Sequence, residues 1–258
     1  MTFLFDSVVF GPVHSRRLGV SLGINLLPTD YKYCSFNCIY CECGWTKNRE
    51  SDKVEFPPAA IVKEYLEKKL LEMQSTNELP EAISFAGNGE PTLHPEFAEI
   101  IDITIELRNK YSPQSKIAVL SNATMLHLPE VVNALKKVDL NILKLDAGTE
   151  GTYRKINQPI DNLALEEIIN NLKQFTSNLI IQTLFIRGNY NKNFIDNTTD
   201  EEVNAWLSYI SELKPMRVMI YPIARSTPAG NLEKVSLKEL EGIAEKVMKI
   251  GIKAEVYY

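Results

Sequence analysis

The sequence has little cysteine, and none beyond position 43. All four cysteines of its 258 residues fall between Cys34 and Cys43. A secreted disulfide scaffold spreads its cysteines along a small chain. Cysteines packed this closely cannot staple a chain of this length, so a disulfide framework is excluded. Histidine is scarce too: His14, His94 and His127 share no ligand spacing. A basic excess is missing. Lys and Arg number 28 against 33 Asp and Glu, for a net charge of −5. Nucleic-acid-binding domains usually carry a basic face, so this balance counts against RNA and against an anionic membrane surface. No apolar run approaches the roughly 18 residues of a membrane span. The start, MTFLFDSVVFGPVHSRR, has no basic segment ahead of an apolar stretch, and Asp6 interrupts it. A signal peptide is therefore not expected. Clustered cysteines without disulfides suit a reducing compartment, and a cytoplasmic location is expected.

What is present suits one globular α/β unit. Hydrophobic residues make up 45% and charged residues 24%, ordinary for a soluble domain. Short apolar runs alternate with amphipathic stretches. Strands are expected at Ile24–Leu27, Ala82–Ala86, Lys116–Leu120, Leu140–Leu145, Leu179–Ile186, Arg217–Tyr221 and Ile252–Tyr257. Helices are expected at Pro57–Gln74, Pro95–Lys110, Pro129–Lys137, Ala164–Phe175, Glu201–Leu213 and Ser236–Ile250. Asn189–Thr199 reads as a loop insertion. Strand–helix alternation implies parallel strands, because each helix carries the chain back across the sheet. AISFA and KIAVL are apolar almost throughout, as strands covered on both faces should be. A closed eight-unit barrel needs more units than this. The expectation is a partial (β/α)6 TIM-like barrel of mostly parallel strands. No linker or low-complexity stretch divides it, so a single domain over residues 1–258 is expected, with a C-terminal closing segment from about 226 to 258.

Polar residues follow the strands in turn: Gly87-Asn88-Gly89-Glu90-Pro91, Ser121-Asn122, Asp146, Arg187-Gly188 and Pro222–Ser226. Parallel α/β folds gather their binding groups at that strand end. The cysteine loop follows the first strand and should share the rim.

The loop reads Cys34-Ser-Phe-Asn-Cys38-Ile-Tyr-Cys41-Glu-Cys43. Its first three cysteines form C-x3-C-x2-C. Thiolates at this spacing can converge on one centre, and soft sulfur selects iron–sulfur, zinc or copper. A cubane cluster normally takes four cysteines. Three would leave one iron open for chemistry. Structural zinc usually wants two ligand pairs, and the second pair is missing, although Cys43 or a histidine could complete a zinc site. Cys43 follows Cys41 too closely for an easy fourth ligand. A redox or hydrogen-donor role and a simply packed thiol both stay open for it.

C-x3-C-x2-C with Tyr40 ahead of the third cysteine resembles the radical S-adenosylmethionine signature. GPVHSRRLGVSLGINLLP, FAGNGEPTLHP, LSNATML, LKLDAGT and YPIARSTPA extend the resemblance over nearly the whole chain. Together they are similar to the small Fe–S oxidoreductase group related to wyosine synthases and molybdenum-cofactor enzymes. The resemblance implies a [4Fe–4S] cluster on Cys34, Cys38 and Cys41, with S-adenosylmethionine chelating the fourth iron. It implies reductive cleavage to a 5′-deoxyadenosyl radical that abstracts hydrogen from a substrate. A reducing partner such as flavodoxin or ferredoxin would supply the electron.

Other residues map by motif. Gly87, Asn88, Gly89 and Glu90 resemble the segment that binds the methionine ammonium. Ser121 and Asn122 match positions for methionine carboxylate or ribose. Asp146 is placed at ribose or substrate, or as a helix cap. Lys144 shares its strand face and could instead form a salt bridge with it. Tyr40 would pack near adenine. Arg187 and Arg225 end strands and suit a carboxylate or phosphate of cofactor or substrate. Arg16 and Arg17 have no role beyond an anion site or a fold-closing contact. His94 is expected to cap or pack. A small-molecule substrate is the leading expectation. Wyosine synthases carry extra N-terminal cysteines and molybdenum-cofactor enzymes a C-terminal cluster, and this chain has neither. A transfer-RNA substrate, a glycyl-radical partner protein and a non-catalytic iron–sulfur or zinc module are the alternatives.

Overall fold

The computed structural model describes residues 3–46 and 54–258. It opens on an antiparallel hairpin of Val9–Ser15 (β1) and Gly19–Ile24 (β2). Then follow Ala59–Ser75 (α1), Ala82–Phe85 (β3), Phe97–Tyr111 (α2), Lys116–Ser121 (β4), Pro129–Lys137 (α3) and Leu140–Lys144 (β5). Next come Glu150–Ile156 (α4), Leu165–Leu172 (α5), Leu179–Tyr190 (β6), Asn193–Asp196 (β7) and Asp200–Leu213 (α6). Arg217–Pro222 (β8), Leu232–Lys234 (β9), Leu237–Lys249 (α7) and Ala254–Val256 (β10) complete the chain.

The sheet runs β1-β2-β3-β4-β5-β6-β8-β10, with β7 and β9 both on the end of β6. Along the main path from β2 to β10 every pairing is parallel, while β7 and β9 pair antiparallel with β6. Among the described residues no ladder joins β1 to β10, so the barrel is open. Six strand-then-helix units and a last strand make the expected partial (β/α)6 barrel.

Side-chain alternation divides the strands between two cores. Leu143, Ile181, Val119 and Phe85 face the helices in the large core. Ala118, Ile142, Ile180 and Met219 face inward and meet Leu18, Leu120, Leu140 and Tyr257. Leu18 comes from the β1–β2 turn and plugs the floor of the barrel. Two residues further along the same strands, the inward positions become Lys144, Gln182 and Tyr221. The bore is thus apolar below and polar above. On the other side it is lined by small residues: Ser21 and Ser84 share a hydrogen bond of 2.8 Å.

Several elements differ from the sequence expectation, which included neither β1 nor β9. The strand ahead of the cysteine loop is Gly19–Ile24 and ends where Ile24–Leu27 was expected to begin. Its glycines and serine lower its hydropathy, and Gly23 is needed because a Cβ there would lie 2.1 Å from the Phe10 ring. Asn25, Leu26 and Leu27 are instead buried at the base of the cysteine loop. The stretch Asn189–Thr199 contains a strand. β6 runs on to Tyr190 and turns back as β7 through Asn191 and Lys192, at φ of 49° and 64°. Two left-handed residues make a tight hairpin turn, which Asn-Lys signals weakly without glycine. α4 was also missed, being short and polar. Its N-cap Thr149 accepts from the Thr152 amide. Among the described residues no helix is long and apolar enough to cross a membrane.

Trp206 on α6 fixes the strand that carries the site. It is buried, meets Phe185 edge to face at 5.5 Å, and its Nε1 donates to the Leu145 carbonyl at 3.2 Å. Trp206→Ala is expected to cost about 3–5 kcal/mol of unfolding free energy, and Trp206→Phe clearly less. Urea denaturation followed by circular dichroism checks this; an alanine variant within about 1 kcal/mol of wild type would contradict it.

Candidate active site

The cysteine loop is clamped on two sides. On one side Tyr33 bridges to Gly89: the Tyr33 amide donates to the Asn88 carbonyl at 2.8 Å, and the Glu90 amide donates to Tyr33 at 3.1 Å. Gly89 has a φ of 146°, and a Cβ there would fall 1.8 Å from the Tyr33 carbonyl oxygen. Only glycine allows that approach. On the other side the amides of Asn37 and Ile39 donate to the carbonyls of Asn157 and Ile156, each at 3.0 Å.

The clamped loop roofs a cavity of about 230 Å³. Cys34, Cys38, Cys41 and Cys43 line it, with Tyr40 beside them. Gly87, Gly89 and Glu90 form a second wall, Ser121 and Asn122 a third, and Lys144 rises from the bore. Residues from four chain segments thus meet at the C-terminal end of the parallel strands.

N–H donors surround the sulfurs. The Phe36 amide and Asn122 Nδ2 reach Cys34 Sγ at 3.4 and 3.5 Å, and Asn157 Nδ2 reaches Cys38 Sγ at 3.5 Å. Lys32 is almost wholly buried and donates to the Gly44 carbonyl at 3.1 Å. Burial pushes the Cys34 thiol up to about 12, opposed by Lys32, and raises Cys38 as well. Cys41 is held down to about 5 by a hydrogen bond from Cys43, against burial and with help from Lys32. Cys43 is pushed far up by the same bond. Burial pulls Lys32 down, but charge on Cys41, Cys34 and Cys38 outweighs it and leaves the amine raised.

This donor set suits an iron–sulfur cluster. Soft thiolates ring a space, and N–H groups and a buried cation offset their charge. Among the described residues no three His, Cys, Asp or Glu side chains meet at one point to hold a single ion.

Glu90 is the carboxylate of the cavity and is 2% exposed. It accepts from Thr92 N at 3.1 Å, Ser121 Oγ at 2.7 Å and Asn122 N at 2.6 Å, and from the Thr92 hydroxyl. Burial nevertheless raises its pKa. A carboxylate kept here at that cost suits a cationic ligand.

Lys144 and Asp146 form an ion pair at 3.5 Å. Tyr40 lies between them, donating to Asp146 and accepting from Lys144 Nζ at 2.7 Å. Asp146 sits behind the cavity wall, where it also accepts from Asn157 Nδ2 and the Leu184 amide. Asp146 and the cysteines' charge raise Lys144 despite its burial.

Three of the expected site residues are placed elsewhere. The Asn88 side chain turns away and braces the N-terminal segment. It donates to the Phe5 and Pro28 carbonyls and accepts from the Phe5 amide, each at 2.8 Å. Arg187 leaves the rim to pair with Glu239 at 2.6 Å and Asp196 at 3.5 Å. Arg225 lines a neighbouring cavity and pairs with Glu42 at 2.8 Å. His94 packs and caps, with its ring on the Pro57 carbonyl and the Glu96 amide.

Comparison with known proteins agrees with this geometry. The sequence profile of the radical SAM superfamily matches residues 29–197. The chain belongs to the radical SAM superfamily, among the UPF0026 proteins. A UPF0026 protein from Synechocystis sp. is 32% identical over 91% of this chain and 79% of its own length. A Brachyspira hyodysenteriae protein named GTPase Obg is 29% identical over 96% of this chain, which spans only 34% of that protein. A radical SAM methyltransferase from Sphaerobacter thermophilus shares the fold, with a TM-score of 0.67 at 14% identity. That match covers 92% of this chain and 66% of the other. Radical SAM proteins are enzymes that typically use a [4Fe–4S] cluster and S-adenosylmethionine.

Sequence reasoning missed several residues in and around this cavity. Lys32 gave no signal beyond standing two residues ahead of Cys34. Asn157 lies far from any recognised motif and reaches Cys38 only because α4 delivers it. Gln182 stands within LIIQTLFI and Tyr221 opens YPIARSTPA, yet neither was given a site role.

Glu90 makes stability depend on pH in a stated direction. Its folded pKa is raised, so its contribution is full below the ordinary carboxylate range and is lost as pH rises through the folded value. In reduced, metal-free protein, wild type should therefore lose stability relative to Glu90→Gln as pH rises above the ordinary carboxylate range of about 4. Urea midpoints measured over that rise check the slope, and parallel curves would contradict it.

Proposed function

We propose that Cys34, Cys38 and Cys41 hold a [4Fe–4S] cluster against which S-adenosylmethionine binds, and that the enzyme takes hydrogen from a small-molecule substrate. The observation that carries this reading is the shared cavity. The three thiols, the Gly87–Glu90 turn, Ser121–Asn122 and Lys144 all face one space. When bound, the cluster and its cofactor supply the radical chemistry, and the protein supplies position and shielding.

Each wall has a task in this reading. Glu90 and the carbonyls of its turn suit the methionine ammonium. Lys144 suits the methionine carboxylate. Ser121 and Asn122 fix Glu90 in place, and Asn122 and Asn157 orient the sulfurs. Tyr40 is held by Asp146 and Lys144 and offers its ring to a flat group. The apolar floor below excludes water from the reacting carbon. The free Cys43 thiol lies within hydrogen-bond reach of Cys41 and of the Gly87 carbonyl, the latter at 3.5 Å, and we place it beside the cluster, not on it. A small reducing protein such as flavodoxin or ferredoxin would deliver the electron.

Anaerobic reconstitution tests the assignment. The loaded protein should hold about four irons and, once reduced with dithionite, convert S-adenosylmethionine to methionine and 5′-deoxyadenosine. Cys34→Ser, Cys38→Ser and Cys41→Ser should each abolish the iron–sulfur absorbance. Cys43→Ser should retain most of it. Zinc without iron, or no cleavage in a reduced and loaded sample, would overturn the proposal.

A further inference from the structure

A second cavity of about 210 Å³ adjoins the first, and Arg17, Tyr40, Cys41 and Tyr221 line both. Arg16 and Arg225 stand on its outer wall, with Glu42 and Tyr257. Three guanidiniums therefore face one small space that holds a single carboxylate. That carboxylate, Glu42, is taken by the exposed Arg225. Arg16 has no ion-pair partner among the described residues.

Arg17 is the telling group. It is half-buried, yet no carboxylate pairs with it among the described residues. Its Nη1 donates to Gln182 Oε1 at 2.9 Å, and its guanidinium lies over the Tyr221 ring, 4.9 Å from the centroid. The amide and the ring hold the plane of the guanidinium at the wall that the two cavities share, and no carboxylate among the described residues takes its remaining donors. Buried charges are normally paired. A guanidinium fixed in orientation but left without an anion is arranged to meet one bidentately. The cofactor's charged ends already have partners on the opposite walls of the first cavity, in Glu90 and Lys144.

We infer that this second cavity takes the anionic head of the substrate, a phosphate or carboxylate group bound by Arg17 with Arg16 and Arg225. The rest of the substrate then extends past Tyr40 and Tyr221 toward the cysteine cavity. This inference rests on the function proposed above and names the substrate class for it. Arg225 would exchange Glu42 for the incoming anion. That exchange tolerates the loss of the surface pair, since exposed pairs contribute little.

Calorimetric titration of the cluster-loaded protein tests this, with S-adenosylmethionine present in saturating amount. Inorganic phosphate, pyrophosphate and malonate serve as probes, and sodium chloride at matched ionic strength is the control. At least one probe should bind saturably, and which one binds separates phosphate from carboxylate recognition. Arg17→Gln and Arg225→Ala should each weaken that binding by about tenfold. Arg154→Gln, on the surface of α4, should leave it unchanged. If Arg17→Gln does not fold, Arg225→Ala and Arg16→Ala carry the test, since both side chains are exposed.

Absence of saturable binding, or binding indifferent to Arg17 and Arg225, would overturn the inference. Competition between the probe and S-adenosylmethionine would also overturn it, by giving Arg17 to the cofactor. Cofactor cleavage measured in the same samples keeps the two claims apart. Cleavage without anion binding sinks the substrate site alone. Anion binding without cleavage sinks the enzymatic reading instead.

Discussion

Two backbone hydrogen bonds join Tyr33 to the turn around Gly89, and the geometry of the site follows from them. They hold the cysteine loop against the end of β3 at a distance that no side chain at position 89 would permit. With the loop seated there, Cys34 faces Asn122 and the sulfurs close over the mouth of the barrel. The second clamp, on Asn157, sets the opposite edge. Because both clamps use main-chain groups, the loop side chains are free to serve the cavity. Glu90 belongs to the same turn, so the carboxylate and the thiols are positioned by a single local structure.

Charge is distributed over this frame with little redundancy. Lys32 faces the thiols from within the loop, while Lys144 and Asp146 balance each other from the barrel. Such groups are expensive to bury unless their partners are in place. The arrangement makes sense for a space meant to hold charged guests: an ammonium opposite Glu90, and sulfur ligands opposite Lys32. Arg17 extends the same logic outward, as the one charge on the shared wall without a counter-ion among the described residues. The site therefore grades from a thiol-rich interior to an arginine-rich mouth.

The barrel was legible because parallel strands buried on both faces leave nearly continuous apolar runs, as in AISFA and KIAVL. The cysteine loop was legible because spacing within one loop survives into space. Much else depended on tertiary contact. Gly19–Ile24 is held as a strand by its ladders to β1 and β3, with Phe10 over Gly23, and its composition carries little strand signal. Asn88 looked like a ligand by its place between two glycines, but its neighbours Phe5 and Pro28 claim every donor. Arg187 was expected to end a strand, but β6 runs on to Tyr190, and within it Arg187 pairs with Glu239 and Asp196. Asn157 could not be found from a pattern, since its value comes from α4 lying beside the loop.

The β1–β2 turn places Leu18 and Arg17 side by side with opposite surroundings. Leu18 is wedged among Ile142, Ile180 and Met219, while Arg17 stands in the wall above. Adjacent residues of one tight turn cannot move independently. The turn therefore acts as a lever whose short arm lies in the barrel floor and whose long arm ends at the mouth. Repacking the floor with a bulkier or smaller residue would tilt the guanidinium without touching any polar group. The position of the proposed anion-binding guanidinium is in this way tied to the packing of the apolar floor.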